Sequence, residues 1–160
     1  MKVSWFSAGV SSFIATYIKR DSLDKILYCH IDDQYPDTMR FIKDCEKVLG
    51  KEIEILQSPY KSVSNVINSF RFINSRYGAK CTEILKKRVR KEWEHGRENL
   101  VYIWGYDASE KHRVNMIIQT MPEYEHRFPL IENNLTKEDC HGILKKLGVK
   151  NLIVLSGDNQ

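Results

Sequence analysis

Short apolar runs separated by amphipathic stretches set the first expectations. Lys2–Phe6 (KVSWF) and Lys25–Ile31 (KILYCHI) read as strands, and Glu52–Leu56 (EIEIL) alternates clearly enough to be a third. Between them, Ser11–Arg20 predicts a helix with Ile14, Tyr17 and Ile18 on one face. Asp37 is placed to cap a second helix running to Leu49, with Phe41, Ile42, Cys45, Val48 and Leu49 inward and Gly50 as its stop. This β-α-β-α-β alternation predicts a parallel sheet with helices on its faces. Farther on, Val63–Phe72 reads as helical, and Thr82–His95 more strongly so, with Ile84, Leu85, Val89 and Trp93 on one side and Gly96 after it. Leu100–Trp104 (LVYIW) is a fourth predicted strand. Ser109 is the expected cap of a helix whose inward face is Val114, Ile117, Ile118 and Met121. His126–Ile131 reads as a short extended piece interrupted by Pro129. Thr136 with Asp139 forms a capping-box pattern before a helix burying Cys140, Ile143, Leu144 and Leu147 and ending at Gly148, and Leu152–Leu155 is the expected fifth strand. The fold class is therefore α/β: a Rossmann-like three-layer sandwich with a mainly parallel sheet of about five strands, in one domain spanning 1–160.

Composition narrows this picture only a little. With 160 residues, 42% hydrophobic and 29% charged, the chain has the balance of a globular protein with a real core. No run reaches the roughly 18 apolar residues of a membrane span, and MKVSWFSAG has no long apolar leader segment. The net charge of +4 suits an anionic ligand and does not by itself indicate nucleic acid. Cys29, Cys45, Cys81 and Cys140 are far apart and form no CxxC pair, so the expectation is reduced thiols in the cytoplasm, with Cys45 and Cys140 in the core.

Candidate chemistry concentrates after the strands. The first leads into Ser7-Ala8-Gly9-Val10-Ser11-Ser12, the second into His30, Asp32 and Asp33, and the fourth into Gly105, Asp107, Ser109, Glu110 and Arg113. Right-handed crossovers bring such loops to one rim, where open parallel sheets bind ligands. The first loop has chemistry suited to phosphate: a glycine that permits positive φ and close approach, serine hydroxyls, and a following helix start with free N–H groups. It matches neither the lysine-bearing P-loop nor GxGxxG.

WFSAGVSSF resembles the PP-loop of the adenine nucleotide α-hydrolase superfamily, whose usual form is Ser-Gly-Gly-x-Asp-Ser. HIDDQYPDTMRFIKDCEKVLGKEIEIL, GAKCTEILKKRVRKEW, WGYDASEKHRVNMI and FPLIENNLTKEDCHGILKKLGV are similar, in order, to the phosphoadenosine phosphosulfate (PAPS) reductase branch, from about Val3 to Val149. The resemblance implies that Ser7, Ala8, Gly9, Val10, Ser11 and Ser12 hold phosphates of ATP or a related adenine nucleotide. It places Asp32 near adenine and ribose, and Gly105, Glu110 and Arg113 on the nucleotide rim. It implies adenylate transfer to an acceptor oxygen with release of pyrophosphate. The acceptor class is left open among carbonyl, carboxylate, nucleobase and oxyanion.

The sequence departs from that pattern in two places. Ala8 replaces a loop glycine and Ser11 replaces the loop aspartate, which weakens the expectation of Mg2+ dependence and leaves Asp33 as the candidate metal ligand. The segment LIVLSGDNQ lacks the Glu-Cys-Gly-x-His pattern of PAPS reductases, so thiol-based PAPS reduction is not expected. Two other readings remain: a nucleotide-binding module without catalysis, and a nucleic-acid modification factor that docks phosphates on Lys86, Lys87, Arg88, Arg90 and Lys91. Homodimerisation is compatible with all three.

Overall fold

The computed structural model describes residues 1–71, 74–75 and 78–154. Its centre is a sheet of five parallel strands: β1 (Lys2–Trp5), β2 (Lys25–His30), β3 (Ile53–Gln57), β4 (Val101–Ile103) and β5 (Glu125–Arg127), in the order β3-β2-β1-β4-β5. β1 pairs on one side with β2, Val3 opposite Lys25, and on the other with β4, Lys2 opposite Val101. The strand order reverses direction at β1, which makes the β1–β4 crevice the topological switch point.

Alternation along β1 and β2 sends side chains to two cores. On one face, Phe6, Ile26 and Tyr28 pack with α1 (Val10–Lys19), α2 (Thr38–Leu49), a short α6 (Pro129–Glu132) and α7 (Lys137–Lys146), around Phe13, Ile14, Phe41, Ile42, Leu130, Cys140 and Leu144. On the other, Val3, Leu27, Tyr102 and Trp104 pack with Trp93 of α4 (80–94) and with Met121, just after α5 (Lys111–Thr120). Each fully buried large apolar side chain among these contributes about 1.5–3 kcal/mol. α3 (Val63–Phe70) and the first part of α4 cover a third cluster, Ile31, Val66, Ile84 and Leu85, at the carboxyl end of β2. α4 is one continuous helical stretch, Lys80–Thr82, a π-helical turn Glu83–Lys87 and Arg88–Glu94. Asn74–Ser75 and Gly78–Ala79 form a small antiparallel pair.

The helix boundaries follow local chemistry. Gly50 ends α2 at φ 63° with its N–H on the Glu46 carbonyl. Thr136 and Asp139 make the predicted capping box: the Asp139 N–H donates to Thr136 Oγ1 at 3.1 Å and the Thr136 N–H to Asp139 Oδ2 at 2.9 Å. Gly148 follows α7 at φ 74°.

Four expectations are corrected. Leu152–Val154 is not a strand (Leu155 lies outside the described residues), and β5 is instead Glu125–Arg127, within and just before the stretch expected to be merely extended. α3 ends at Phe70, with Arg71 in the left-handed conformation, and Phe72 lies outside the described residues. The cap before α5 is Asp107 rather than Ser109. Ile118 is 47% exposed and faces outward, because α5 leans on the sheet mainly through Ile117 and the following Met121. Among the described residues no helix is long and apolar enough to cross a membrane, and all four cysteines are free thiols, Cys45 and Cys140 buried as expected.

Candidate functional site

The three polar loops lie along one edge because every strand of the five-stranded sheet runs the same way. The β1–α1 turn is built around Ser12, whose hydroxyl accepts from the Ser7 N–H at 3.1 Å and the Ser7 hydroxyl at 3.0 Å, and donates to the Gly9 carbonyl at 3.1 Å. Ser12 is buried, so its hydroxyl shapes the turn instead of facing outward. One turn on, Thr16 anchors α1 to the sheet, donating to the Ser12 carbonyl and sharing a 2.7 Å hydrogen bond with Ser4. The left-handed residue in this turn is Ala8, at φ 61°, and not Gly9, which is extended at φ −106°. Ala8 thus stands, with some backbone strain, where a glycine is favoured.

Gly9 is the N-cap of α1. No side chain caps the helix and its first turn has no acid. The first intrahelical bond is Phe13 N–H to Gly9 carbonyl, which leaves the N–H groups of Val10, Ser11 and Ser12 without intrahelical partners. A Cβ built on Gly9 would meet only the Ser7 hydroxyl, at 3.4 Å, so nothing in the protein itself demands a glycine there. Gly105 is the opposite case: a Cβ would lie 2.7 Å from Ser12 N and closer still to Ser12 Cα. The start of α1 therefore rests directly on the loop after β4.

After β2, Asp32 accepts from Gln57 Nε2 at 2.7 Å and lies 3.3 Å from His30 Nε2, with half of its side chain exposed at the rim. Asp33 has a different job. Its carboxylate accepts from the N–H groups of Val63 and Ser64, at 2.8 and 2.9 Å, and from the Ser64 hydroxyl at 3.1 Å. Slight burial would raise its pKa, but these hydrogen bonds to the ionised form hold it below the usual range. As an additional cap on α3, Asp33 does not fit the expected role of metal ligand. With a serine at position 11, the donor set here does not fit a protein-held Mg2+. Among the described residues no group of three or more His, Cys, Asp or Glu side chains could hold a metal.

After β4, Asp107 is buried and accepts from the Ser109 N–H at 2.9 Å and hydroxyl at 2.5 Å, while Glu110 accepts the Asp107 N–H at 3.3 Å. Glu110 therefore completes a capping box and also pairs with Arg113 at 3.4 Å. Arg113 is mostly exposed and lies over the Tyr106 ring, 5.9 Å from its centroid.

The basic run divides in two. Lys86, Lys87, Arg88 and Lys91 are exposed, whereas Arg90 turns inward. Arg90 Nε sits 3.2 Å from Glu94, a carboxylate only 11% exposed that also accepts the Tyr102 hydroxyl at 2.8 Å. Burial pushes the Cys29 thiol up to about 11, against the opposing charges of Lys86 and Arg90, and burial likewise raises Tyr106, against Arg113 and Arg90. Sequence reasoning passed over Tyr106 and the Arg90–Glu94 pair; the i,i+4 spacing of Arg90 and Glu94 was the available signal for the pair.

No family model and no curated protein sequence matches the chain. Among solved structures, it is similar to the PAPS reductase from Candida auris, determined as a phosphate complex: 8% sequence identity, TM-score 0.56, covering 94% of this chain and 74% of that one. The likeness is one of fold: a five-stranded parallel sheet flanked by helices, the Rossmann-like α/β architecture of a PAPS reductase.

Proposed function

We propose that the chain binds an adenine nucleotide across the rim and transfers its adenylate to an acceptor oxygen. The phosphates sit on the free N–H groups at the start of α1, with Ser7 and Ser11 beside them; the base and ribose lie toward Asp32, and Arg113 closes the β4 side. The acceptor oxygen attacks the α-phosphorus, the bond from that phosphorus to the bridging oxygen breaks, and pyrophosphate leaves. The protein's part is placement and fixed positive potential rather than covalent catalysis. Mg2+ enters this reading only as a partner of the nucleotide's own phosphates.

The observation that carries the proposal is the uncapped, acid-free start of α1 at the switch point, next to a Gly9 whose bare side meets only the Ser7 hydroxyl. The phosphate complex of a protein with this fold supports it. A ligand at 100 times its Kd stabilises the native state by about 2.7 kcal/mol. Calorimetry and thermal shift with ATP, GTP, PAPS and pyrophosphate test the binding step, and pyrophosphate release from ATP tests the chemistry. Failure of every adenine nucleotide to bind the folded protein refutes the proposal. Binding without turnover selects the non-catalytic reading, which is favoured by the engagement of Asp33 as a helix cap.

A further inference from the structure

We infer that the lobe formed by α3 and α4 is a docking surface for single-stranded RNA. The inference goes beyond the adenylate-transfer reading and does not depend on it, because none of the residues involved belongs to the α1 turn.

Charge is spread unevenly along the chain. The stretch from Lys61 to Arg97 holds ten of the 25 Lys and Arg residues but three of the 21 Asp and Glu residues. The whole positive excess of the protein therefore resides in it, and the remainder is net negative. Such a concentration is the footprint of a polyanionic partner. The fold turns it outward. Val89 and Trp93 are buried, which leaves Lys86, Lys87, Arg88 and Lys91 exposed on the outer side of α4. Lys87 and Lys91 stand one turn apart, so the ridge repeats a cation about every 5–6 Å. Among the described residues, Arg88 alone of these four has an acidic partner, Glu83 at 4.0 Å.

Aromatic rings adjoin the ridge. Tyr60, in the loop after β3, and Phe70, at the end of α3, are half-buried with ring centroids 5.6 Å apart, and the Lys80 ammonium lies over the Phe70 ring at 5.1 Å. Tyr60 and Pro59 line one hollow together with Ile84 and Arg88 of α4, so the rings and the ridge are continuous. Glu92 shares that lining and repels phosphate, which leaves the hollow to a base and the ridge to the backbone. Cations beside aromatic faces hold single strands in this way, whereas a duplex has its bases already stacked on one another. The outer face of α3 points to RNA rather than DNA. It carries no charge and exposes Ser64, Asn65, Asn68 and Ser69, whose hydroxyls and amides both donate and accept, as a 2′-hydroxyl does. The lobe is also fastened to the rim: the Lys61 carbonyl accepts the Asp32 N–H at 2.9 Å, and Asp33 caps α3.

The probes are fluorescently labelled oligonucleotides of about twelve nucleotides, within the span such surfaces cover: an oligouridylate, its deoxy counterpart and an RNA duplex of equal length. Anisotropy is measured from about 50 to 200 mM salt. The oligouridylate binds the wild type most tightly. Combining Lys87→Gln, Arg88→Gln and Lys91→Gln lowers its log–log salt slope by about 2, since each phosphate contact with a single strand contributes about 0.7. Tyr60→Leu keeps the apolar bulk and loses the ring, so affinity falls at least about fivefold at fixed salt with the slope unchanged. The three cations are exposed, so the combined variant decides the question even should Tyr60→Leu unfold. The inference is overturned by absent oligouridylate binding at the lowest salt, by a slope the combined variant leaves unaltered, or by an unchanged affinity in folded Tyr60→Leu. Equal or tighter binding of the deoxy strand or the duplex overturns it as well. Gly9→Val should bind the oligouridylate like the wild type, and loss of RNA binding in the folded variant would move the strand onto the α1 turn and overturn the inference. Loss of ATP binding in that variant, or its absence in the wild type, bears on the nucleotide reading alone.

Discussion

Gly9 is the N-cap of α1 and Gly105 rests on Ser12 in the first turn of the same helix, yet substitution should affect them in opposite ways. At Gly9 the backbone is already extended, and a Cβ meets only the Ser7 hydroxyl at ordinary contact distance. Gly9→Val therefore loses a tolerable N-cap residue and little else, a cost of about 1 kcal/mol or less. Its branched side chain would occupy the space a phosphate must enter. Charge-assisted hydrogen bonds contribute about 1.5–3 kcal/mol each, so denying a phosphate two of the α1 N–H groups costs about 3–6 kcal/mol, roughly 10²- to 10⁴-fold in Kd. Gly105→Ala drives its methyl into the backbone of Ser12. Overpacking of this kind costs about 1–3 kcal/mol and displaces the start of α1, so stability and binding fall together. Urea denaturation and ATP calorimetry on the two variants separate the effects. ATP affinity unchanged in a folded Gly9→Val protein would refute the placement of phosphate on this turn. An unaltered stability in Gly105→Ala would refute the direct contact between the two loops.

Ser11→Asp puts an acid in the first turn of α1, which should raise stability by about 0.3–1 kcal/mol, weaken ATP binding without Mg2+ and restore it with Mg2+; identical Mg2+ titrations of the two proteins would show that position 11 faces away from the phosphates. Thr136→Ala should destabilise the fold by about 1 kcal/mol, read as a lower urea midpoint with unchanged slope, because it removes one half of the α7 capping box. The carboxylate of Asp37, held at about 2 by Arg40 and by the Ile153 N–H, should hold the segment 150–153 in place at neutral pH. Its folded pKa is below the ordinary 3.8, so this tether is complete above that value and is lost as pH falls through about 2. Hydrogen exchange at Ile153 should accelerate over that interval, and a flat profile would disconnect the segment from Asp37.

The central strands were legible because their residues face two cores and so carry apolar side chains on both sides. Tyr28, Leu27 and Tyr102 announce themselves in this way. β5 is an edge strand of three residues, Glu-His-Arg, and earns its place by pairing with β4 rather than by burial. Leu152–Val154, apolar in sequence, is instead drawn along α2 by Arg40, which donates to the Lys150 and Asn151 carbonyls, a contact between positions more than 100 residues apart that no local pattern encodes. At the candidate site, the turn and its neighbours could be placed from strand ends alone. The division of labour within it could not: a glycine looks the same in sequence whether a ligand or Ser12 requires its bareness, and Ala8 gives no sign that it holds the left-handed position. Asp33 looked like a ligand because the start of α3, which consumes its carboxylate, comes from a distant part of the chain.

The strand order also has a kinetic consequence. β1, β2 and β3 come from the first 57 residues and can pair through short connections, whereas β1 meets β4 only when Lys2 finds Val101. Closing that long loop costs more chain entropy and belongs late in folding. The crevice between β1 and β4, with Gly105 seated on Ser12, should therefore form late in folding and open early in unfolding. A ligand bound there stabilises contacts formed after the rate-limiting step, so it should slow unfolding in proportion to its affinity and leave the refolding rate nearly unchanged.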